Sequence, residues 1–340
     1  MAHSIGLSDA IAQYERHLRA RGLADNTVRN TVQVLNRALT LWGDVQLTTL
    51  THAHVDDLFA HYGWKESTRN LYLSRLNVFL QWCRGHRWMA RDWSPTDGWR
   101  PVRVPRVDRT RVPVDEFAAL LDAATHPRDR AVCALGLFVM LRGSEIQSLR
   151  LRDLSLDSLE LVIYRHKTKQ ADVMPVSEEL RVEMVRWLNW YRADQGSLRP
   201  DWFLVPAKDP NHTFYDPATG RIGVDTSVPA SLRPATRLGK PYAAVQRALE
   251  GLGYDGYREG EHTLRRSGAR ALADALNEDG GSDGALMRVA SMLGHSDVRV
   301  TQKYIGWEME RRKRNEAVAG RVMFPAMHRP AALALARREA

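Results

Sequence analysis

The sequence predicts a mainly α-helical protein with a small antiparallel β-sheet, and three observations lead to this fold class. Most of the 340 residues lie in segments whose apolar residues recur at helical spacing. The stretch 159–176 instead contains two short strand-like segments joined by a polar turn. The stretch 93–113 has no periodicity and contains four prolines, so we expect it to link two separately folded parts.

The N-terminal part is predicted to form a four-helix bundle over residues 1–95, because amphipathic segments follow one another with short connections. These segments are Ser8–Arg21, Asn26–Trp42, Thr51–His61 and Ser67–Arg84. The polar side of the bundle carries basic residues that suit either a phosphate backbone or a solvated face: Arg29, Arg37, Lys65, Arg69 and Arg75.

The linker is expected at 96–113. Its prolines keep the chain extended. Residues 100–113 contain five arginines and one acidic residue, Asp108, so this stretch suits a path along a phosphate backbone. The arginines predicted to contact DNA are Arg100, Arg103, Arg106, Arg109 and Arg111. An ordinary solvated linker is the alternative.

The C-terminal part is predicted to be mostly helical. Helices are expected at 115–124, 128–141, 145–149, 177–190, 241–250 and 262–277, followed by two helices separated at Gly294. Strands are expected at 159–165 and 171–176, where Pro175 marks an edge strand, and 202–205 is a candidate third strand. The segment Asp209–Thr236 lacks periodicity and is predicted to be a long loop without an assigned role.

Composition limits the partners and the compartment. A net charge of +9 and a pI near 9.7 favour a polyanion, either nucleic acid or an anionic membrane. The longest apolar run, 131–141, is far shorter than the ~20 residues of a membrane span, and we expect no signal peptide before Ser8. Cys83 and Cys133 are expected to be reduced core residues of a cytosolic protein. No residue spacing indicates zinc or Mg²⁺, so no metal and no other cofactor is predicted.

Five residues at the ends of apolar elements indicate the chemistry. Arg142 follows one apolar run, and His262 and Arg265 are three residues apart, on one helix face. His295 follows Gly294 in a turn, and Tyr304 lies two turns into the next helix. Arginine forks bind phosphate bidentately, and a phenol can act as a nucleophile. The set therefore suits holding a phosphodiester while a tyrosine attacks it.

These motifs resemble those of the tyrosine recombinase (phage integrase) family. The ordered set that carries the resemblance is Arg142, Lys167, His262-x-x-Arg265, Leu293-Gly-His295 and Tyr304. It covers the catalytic half, roughly 112–307, and the N-terminal half more loosely. It implies a core-binding (SAM-like) domain, a catalytic domain at 114–320, a C-shaped clamp on DNA, and a tail at 321–340. That tail is expected to dock on a neighbouring subunit or on its own domain.

The resemblance also implies roles for the residues of the set. Tyr304 attacks the phosphate, forming a 3′-phosphotyrosyl link and freeing a 5′ hydroxyl, while Arg142 and Arg265 stabilise the phosphate oxygens. Because the reference pKa of tyrosine is about 10, Tyr304 needs a base or a cationic field. His262 is the better candidate for that base and His295 for a hydrogen-bond donor, although the sequence does not rank the two.

A lysine in the hairpin turn is implied to protonate the leaving 5′ oxygen. Lys167 lies eight residues before Pro175, which matches the family spacing, whereas Lys169 is expected mainly to contact DNA. Only seven of the 49 basic residues are lysines, and arginine holds its proton too tightly for this task. The alternative is that both lysines are plain phosphate contacts. Glu145 either orients the basic residues or is simply an acid at a helix N-terminus. Arg266 departs from the family pattern, in which many relatives have histidine.

The resemblance predicts a site-specific recombinase that acts on double-stranded DNA bearing a specific recombination site. It is expected to work as a homo-oligomer, a tetramer at synapsis, through a four-way junction and without metal or ATP. A type IB topoisomerase-like enzyme and a non-catalytic DNA-binding relative are the alternatives. We expect no membrane association and a bacterial or phage-encoded cytoplasmic protein that associates with the nucleoid when acting.

Overall fold

The computed structural model of the chain describes residues 5–105, 109–166, 168–208, 213–216, 221–224, 231–239, 241–255, 259–278 and 282–306. The chain divides into two compact units, Met1–Val107 and Asp108–Ala340. The described parts are mostly helical with short antiparallel strands, so the predicted fold class is confirmed.

The first unit is a four-helix bundle, as its hydrophobic periodicity predicted. Its helices are α1 (Leu7–Ala20), α2 (Asp25–Trp42), α3 (His52–Tyr62) and α4 (Glu66–Gly85). They bury one apolar core that includes Leu35, Leu76 and Phe79. Each helix begins and ends within one residue of its expected bounds, because glycines and polar turns stop each apolar run.

The segment that follows α4 packs on the bundle of this first unit. The Nδ1 atom of His52 forms a 2.9 Å hydrogen bond with the carbonyl of Pro95. The side-chain amide of Asn70 exchanges hydrogen bonds of 2.8 and 2.9 Å with the backbone of Val102. The guanidinium of Arg69 lies 4.7 Å from the ring centre of Trp99. Part of the predicted linker is therefore fixed to this unit.

The second unit is built around a buried helix. Its helices are α5 (Phe117–Ala123), α6 (Pro127–Phe138), α7 (Gly143–Ser148), α8 (Glu178–Gln195), α9 (Tyr242–Gly251), α10 (Glu261–Glu278), α11 (Ser282–Leu293) and α12 (Val298–Ile305). Helix α6 packs against α8, α9 and α10, and its apolar residues are buried all round. It ends at Phe138, three residues before the predicted end, so Arg142 precedes α7 and does not close α6.

A three-stranded antiparallel sheet follows α7. Its strands are β1 (Leu154–Ser155), β2 (Glu160–Arg165) and β3 (Gln170–Pro175), in the order β1-β2-β3. Strand β3 forms the edge, as Pro175 predicted, and the hairpin register pairs Arg165 with Gln170. The inward side of β2 carries Leu161, Ile163 and Arg165.

The expected strand at 202–205 is wrong. There, only Phe203 forms a bridge, with Arg150, and the strand comes next, as β4 (Pro206–Lys208). The carbonyl of Leu204 accepts a 2.8 Å hydrogen bond from Trp187 Nε1, while the N–H groups of Phe203 and Leu204 bond to the carbonyls of Pro234 and Leu149 without forming a regular ladder. The apolar run is thus core-filling without being a strand.

The long loop expected at 209–236 is also corrected. It contains β5 (Thr213–Asp216) and β6 (Arg221–Val224), which pair antiparallel, and most of β7 (Leu232–Arg237), which pairs with β4. These strands are only four to six residues long and their sequences do not alternate between apolar and polar residues. Their periodicity was therefore too weak to predict them.

Three compositional expectations can be compared with the described residues. Cys83 and Cys133 are free and buried, as expected. Among the parts of the chain that the structure describes, no helix is both long and apolar enough to cross a membrane. Within the same parts, no group of three or more histidine, cysteine or acidic side chains is arranged to bind a metal ion.

The contact between α10 and α6 leads to a stability prediction. A Cβ atom at Gly268 would collide with the carbonyl oxygen of Leu137, so Gly268→Ala must push the two helices apart. We expect a loss of about 2–3 kcal/mol in the free energy of unfolding. The matched control is Gly284→Ala in α11, where a Cβ meets no atom within 4 Å and should be neutral or stabilising. Calorimetric melting of the full chain measures both, and equal melting temperatures for the two variants would contradict the close approach.

Candidate active site

Arg142 lies at the start of α7, where one carboxylate fixes it twice. The backbone N–H and Nη1 of Arg142 donate to Glu145 at 2.7 and 2.9 Å. Its Nη2 donates to the carbonyl of Leu293, 3.3 Å away at the end of α11. Glu145 is the third residue of α7, so it is an acid in the first turn of this helix and also bonds to the arginine.

Arg265 extends from α10 into the same place and is almost fully buried, with 1% of its surface exposed. It donates to the carbonyl of Met140 and, at 2.6 Å, to that of Leu293. Burial, followed by the nearby Arg142 cation, lowers the pKa of Arg265 to about 10. Its guanidinium still carries a positive charge at neutral pH.

Glu145 is shared by three arginines. Its carboxylate, 2% exposed, lies 2.9 Å from Arg142, and 3.7 Å from both Arg165 and Arg265. The sequence did not single out Arg165. The available signal was its place on the inward side of β2, where a charged residue continues an apolar alternation.

His262 and Tyr304 lie side by side. The Nδ1 atom of His262 is 3.4 Å from the Tyr304 hydroxyl, which donates to the His262 carbonyl at 3.2 Å. Loss of hydration around the imidazole and, to a smaller extent, the nearby Arg265 cation lower the pKa of His262 below its ordinary 6.5. Burial raises the pKa of Tyr304, against the opposing effect of Arg265, Arg266 and Arg142. At neutral pH, the pair is therefore a neutral imidazole beside a neutral phenol.

His295 occupies the turn between α11 and α12, as the sequence predicted. Gly294 adopts a φ of 63°, which glycine tolerates, and the His295 N–H bonds to the carbonyl of Ala290 at 2.9 Å. The His295 Nδ1 atom is 2.9 Å from the Thr301 hydroxyl, and its ring centre is 5.7 Å from that of Tyr304. The imidazole is thus fixed next to the phenol.

A cavity of about 270 Å³ opens among these side chains, lined in part by Arg142, His262 and Arg265. Its wall also includes Ser144 and Glu261 from the N-terminal turns of α7 and α10. Two arginines and a histidine in one concave site fit an anionic group, and backbone N–H groups at helix N-termini favour the same charge. Arg142, Glu145, His262, Arg265, His295 and Tyr304 are therefore close together in the second unit.

The other predicted residues are placed differently. Lys167, Arg106 and the tail at 321–340 lie outside the described residues. Lys169 is exposed in the turn between β2 and β3, and Arg100, Arg103 and Arg109 are also exposed. Arg111 is half-buried, and a Cβ atom at Gly306 would come within 2.5 Å of its guanidinium at the end of α12. Arg111 therefore packs against the end of α12, and its contact with DNA stays a prediction.

Arg266, the departure from the family pattern, does not line the cavity. It donates to the carbonyl of Thr110 at 3.1 Å and to Glu259 at 3.2 Å. The neighbouring Ser267 hydroxyl accepts a 2.8 Å hydrogen bond from the N–H of Val112. Both residues fix the start of the second unit to α10, so the extra cation has a structural task.

Both units of the chain match known protein families. Residues 110–311 match the model of the phage integrase family, and residues 11–85 match its N-terminal SAM-like domain. The tyrosine recombinase XerC of Alcanivorax borkumensis is 29% identical over 299 residues, which are 84% of each chain. A putative integrase/recombinase, y4rF, of Sinorhizobium fredii is 27% identical over 87% of this chain and 65% of its own length.

Solved structures share the fold at low sequence identity. A lambda integrase dimer bound to a COC′ core site matches with a TM-score of 0.64 and 16% identity, over 89% of this chain and 78% of that one. A lambda integrase tetramer bound to a Holliday junction matches with a TM-score of 0.62 and 18% identity, over 86% and 78%. Since the family model alone covers more than half of the sequence, the chain belongs to the phage integrase family, the tyrosine recombinases.

Proposed function

We propose that this protein is a site-specific DNA recombinase that cleaves and rejoins duplex DNA through Tyr304. The observation that carries the proposal is the grouping of two arginines, two histidines and this tyrosine, of which Arg142, His262 and Arg265 line the cavity and His295 and Tyr304 lie beside them. In particular, the Tyr304 hydroxyl lies 3.4 Å from His262 Nδ1, while Arg142 and Arg265 line the cavity beside them. Membership of the tyrosine recombinases supports the reaction class.

The two arginines bind the scissile phosphate in this proposal. Their guanidiniums are held by Glu145 and by the carbonyl of Leu293, so they need little reorganisation when the phosphate gains charge. His295 supplies a further hydrogen-bond donor from its turn. Loss of one such donor at a comparable oxyanion site costs ~10²–10³ in rate.

The covalent step exchanges one phosphoester for another. The Tyr304 oxygen bonds to phosphorus, its proton passes to His262, and the bond from phosphorus to the 5′ oxygen breaks. Lys167 donates the proton that the leaving 5′ oxygen takes up. A 3′-phosphotyrosyl link results, and because it conserves the ester bond, neither ATP nor metal is needed to reverse it.

Rejoining to a partner strand makes the reaction a recombination. The free 5′ hydroxyl of the partner attacks the 3′-phosphotyrosyl link, and two such exchanges pass through a four-way junction. We propose double-stranded DNA with a specific site as the substrate, and a homo-tetramer as the synaptic assembly. A type IB topoisomerase would reseal the same strand, so relaxation of plasmids without joining of two sites would favour that alternative.

Replacing the nucleophile separates catalysis from binding. Tyr304→Phe removes only the attacking oxygen, so the variant should bind its DNA site and form no covalent adduct with a nicked suicide substrate. Denaturing gels measure the adduct. The matched control is Tyr254→Phe, whose hydroxyl donates to Glu116 at 2.7 Å, away from the cavity, and which should still form the adduct. Adduct formation by Tyr304→Phe would assign the nucleophile to another residue.

The lowered pKa of His262 leads to a pH prediction. The imidazole stays neutral, and able to accept the Tyr304 proton, down to pH values below 6.5. Single-turnover cleavage at subsaturating DNA should therefore be flat from about pH 8 to 6.5 and fall only below that, because such conditions report ionisations of the free enzyme. His262→Gln should lower the rate by ~10²–10⁴ and remove this acid limb. An acid limb above pH 6.5 in the native protein would contradict His262 as the base.

Replacing each of the two lysines of the hairpin turn should affect a different step, either cleavage or DNA binding. Lys167→Ala should slow cleavage by ~10²–10⁴, and a 5′-bridging sulfur should restore most of the rate, because a thiolate leaves without a proton. Lys169→Ala should mainly weaken binding and reduce its dependence on salt, as expected for an exposed phosphate contact. Rescue by sulfur of the Lys169 variant alone would reverse the assignment.

A further inference from the structure

We propose that Arg165 is a positioning residue, which ties the β2–β3 turn to the turn that carries His295. The proposal rests on the function proposed above, in which Lys167 of the β2–β3 turn protonates the leaving oxygen. Arg165 is the last residue of β2 and is buried, and its backbone and side chain bind different parts of the site.

The backbone of Arg165 closes the β2–β3 turn. Its carbonyl accepts hydrogen bonds from the N–H groups of Lys169, at 2.8 Å, and Thr168, at 3.1 Å. Lys169 has a φ of 56°, the left-handed conformation with which the chain reverses into β3. Lys167 lies two residues after Arg165 in the sequence, so the position of Arg165 sets where this turn begins.

The side chain of Arg165 links the hairpin to helix α11. Its Nε donates to Asp172 on β3 at 2.7 Å. Its Nη2 donates to the carbonyl of Met292 at 2.8 Å, in the last turn of α11. The same guanidinium therefore bonds to both sides of the gap between the hairpin and the segment that leads to His295.

Gly294 and Glu145 show how closely this guanidinium fits. A Cβ atom at Gly294 would lie 2.9 Å from Nη1 of Arg165, so the turn before His295 packs directly on it. Glu145, the carboxylate that holds Arg142, lies 3.7 Å from the same Nη1. Arg165 thus contacts the supports of the phosphate-binding residues without lining the cavity.

An arginine at this inward position is costly without such partners. Burying a guanidinium removes its hydration, whereas an aliphatic residue would continue the pattern of Leu161 and Ile163 at no such cost. The hydrogen bonds of Nε to Asp172 and of Nη2 to Met292 offset part of this loss, although Nη1 is buried without a hydrogen bond to the described residues, and they fix the distance between two elements. We therefore assign Arg165 to the alignment of the β2–β3 turn with the site.

Arg165→Met tests this alignment. The variant should bind DNA within about threefold of the native protein but cleave it ~10–10² times more slowly, because small misplacements of a catalytic group have this effect. A 5′-bridging sulfur substrate should restore most of the lost rate, since it needs no proton from the turn. Arg165→Lys should recover part of the rate, because one ammonium can reach only some of the partners.

Two controls separate the possible failures. Lys167→Ala with the same sulfur substrate tests the proposed function itself; if it is not rescued, Lys167 is not the acid. If Lys167→Ala is rescued and Arg165→Met is not, the positioning role is overturned. Arg130→Met removes another ion pair of the second unit, 2.6 Å from Glu183, and should lower stability without changing the ratio of sulfur to oxygen rates.

Equal behaviour of the Arg165 and Arg130 variants would likewise reduce Arg165 to a purely structural residue. Should Arg165→Met fail to fold, Asp172→Asn carries the test, because that carboxylate is 41% exposed and its loss is better tolerated. The expected result is a smaller defect of the same kind, again rescued by the sulfur substrate. A defect that sulfur does not relieve would overturn the proposal.

Discussion

The site depends on one buried carboxylate that faces three guanidiniums. Glu145 neutralises only part of the charge of Arg142, Arg165 and Arg265, which lie 2.9 to 3.7 Å away. Buried charges need partners, and here the Asp172 carboxylate and backbone carbonyls supply the remainder. The result is a rigid cavity with an excess of positive charge. A phosphate group would complement that excess, so the interaction that organises the site also suits the ligand proposed for it.

The carbonyls that complete this network belong largely to the C-terminal end of α11. Helix C-termini carry partial negative charge and unpaired carbonyls, which favour nearby cations. Leu293 accepts from both Arg142 and Arg265, and Met292 accepts from Arg165. Because Gly294 ends α11 at once, His295 follows directly from the carbonyls that the arginines hold. The helix end thereby serves as an anchor for the cations and as a support for the histidine.

Hydrophobic periodicity predicted the helices, and the motifs with their family resemblance implied the grouping of the site residues. Periodicity failed where an apolar run is irregular or a strand is too short to alternate. The run 202–205 is apolar because it fills the core beneath Trp187, and β5 and β6 are too short to alternate. Arg165 lies on the inward side of β2, where alternation by itself predicts an apolar residue. Its role depends on Met292, 127 residues later, and no local pattern contains that contact.

The resting state of Tyr304 follows from two opposed effects. Burial raises its pKa, and the cations of Arg265, Arg266 and Arg142 lower it without cancelling that effect. A neutral phenol is a weak nucleophile, so the free protein has little tendency to react with stray electrophiles. A bound phosphate would be held by the arginines next to the phenol, and neutral His262 would take its proton as the new bond forms. In the proposed mechanism, reactivity therefore develops with binding, because the base and the cations already occupy their places.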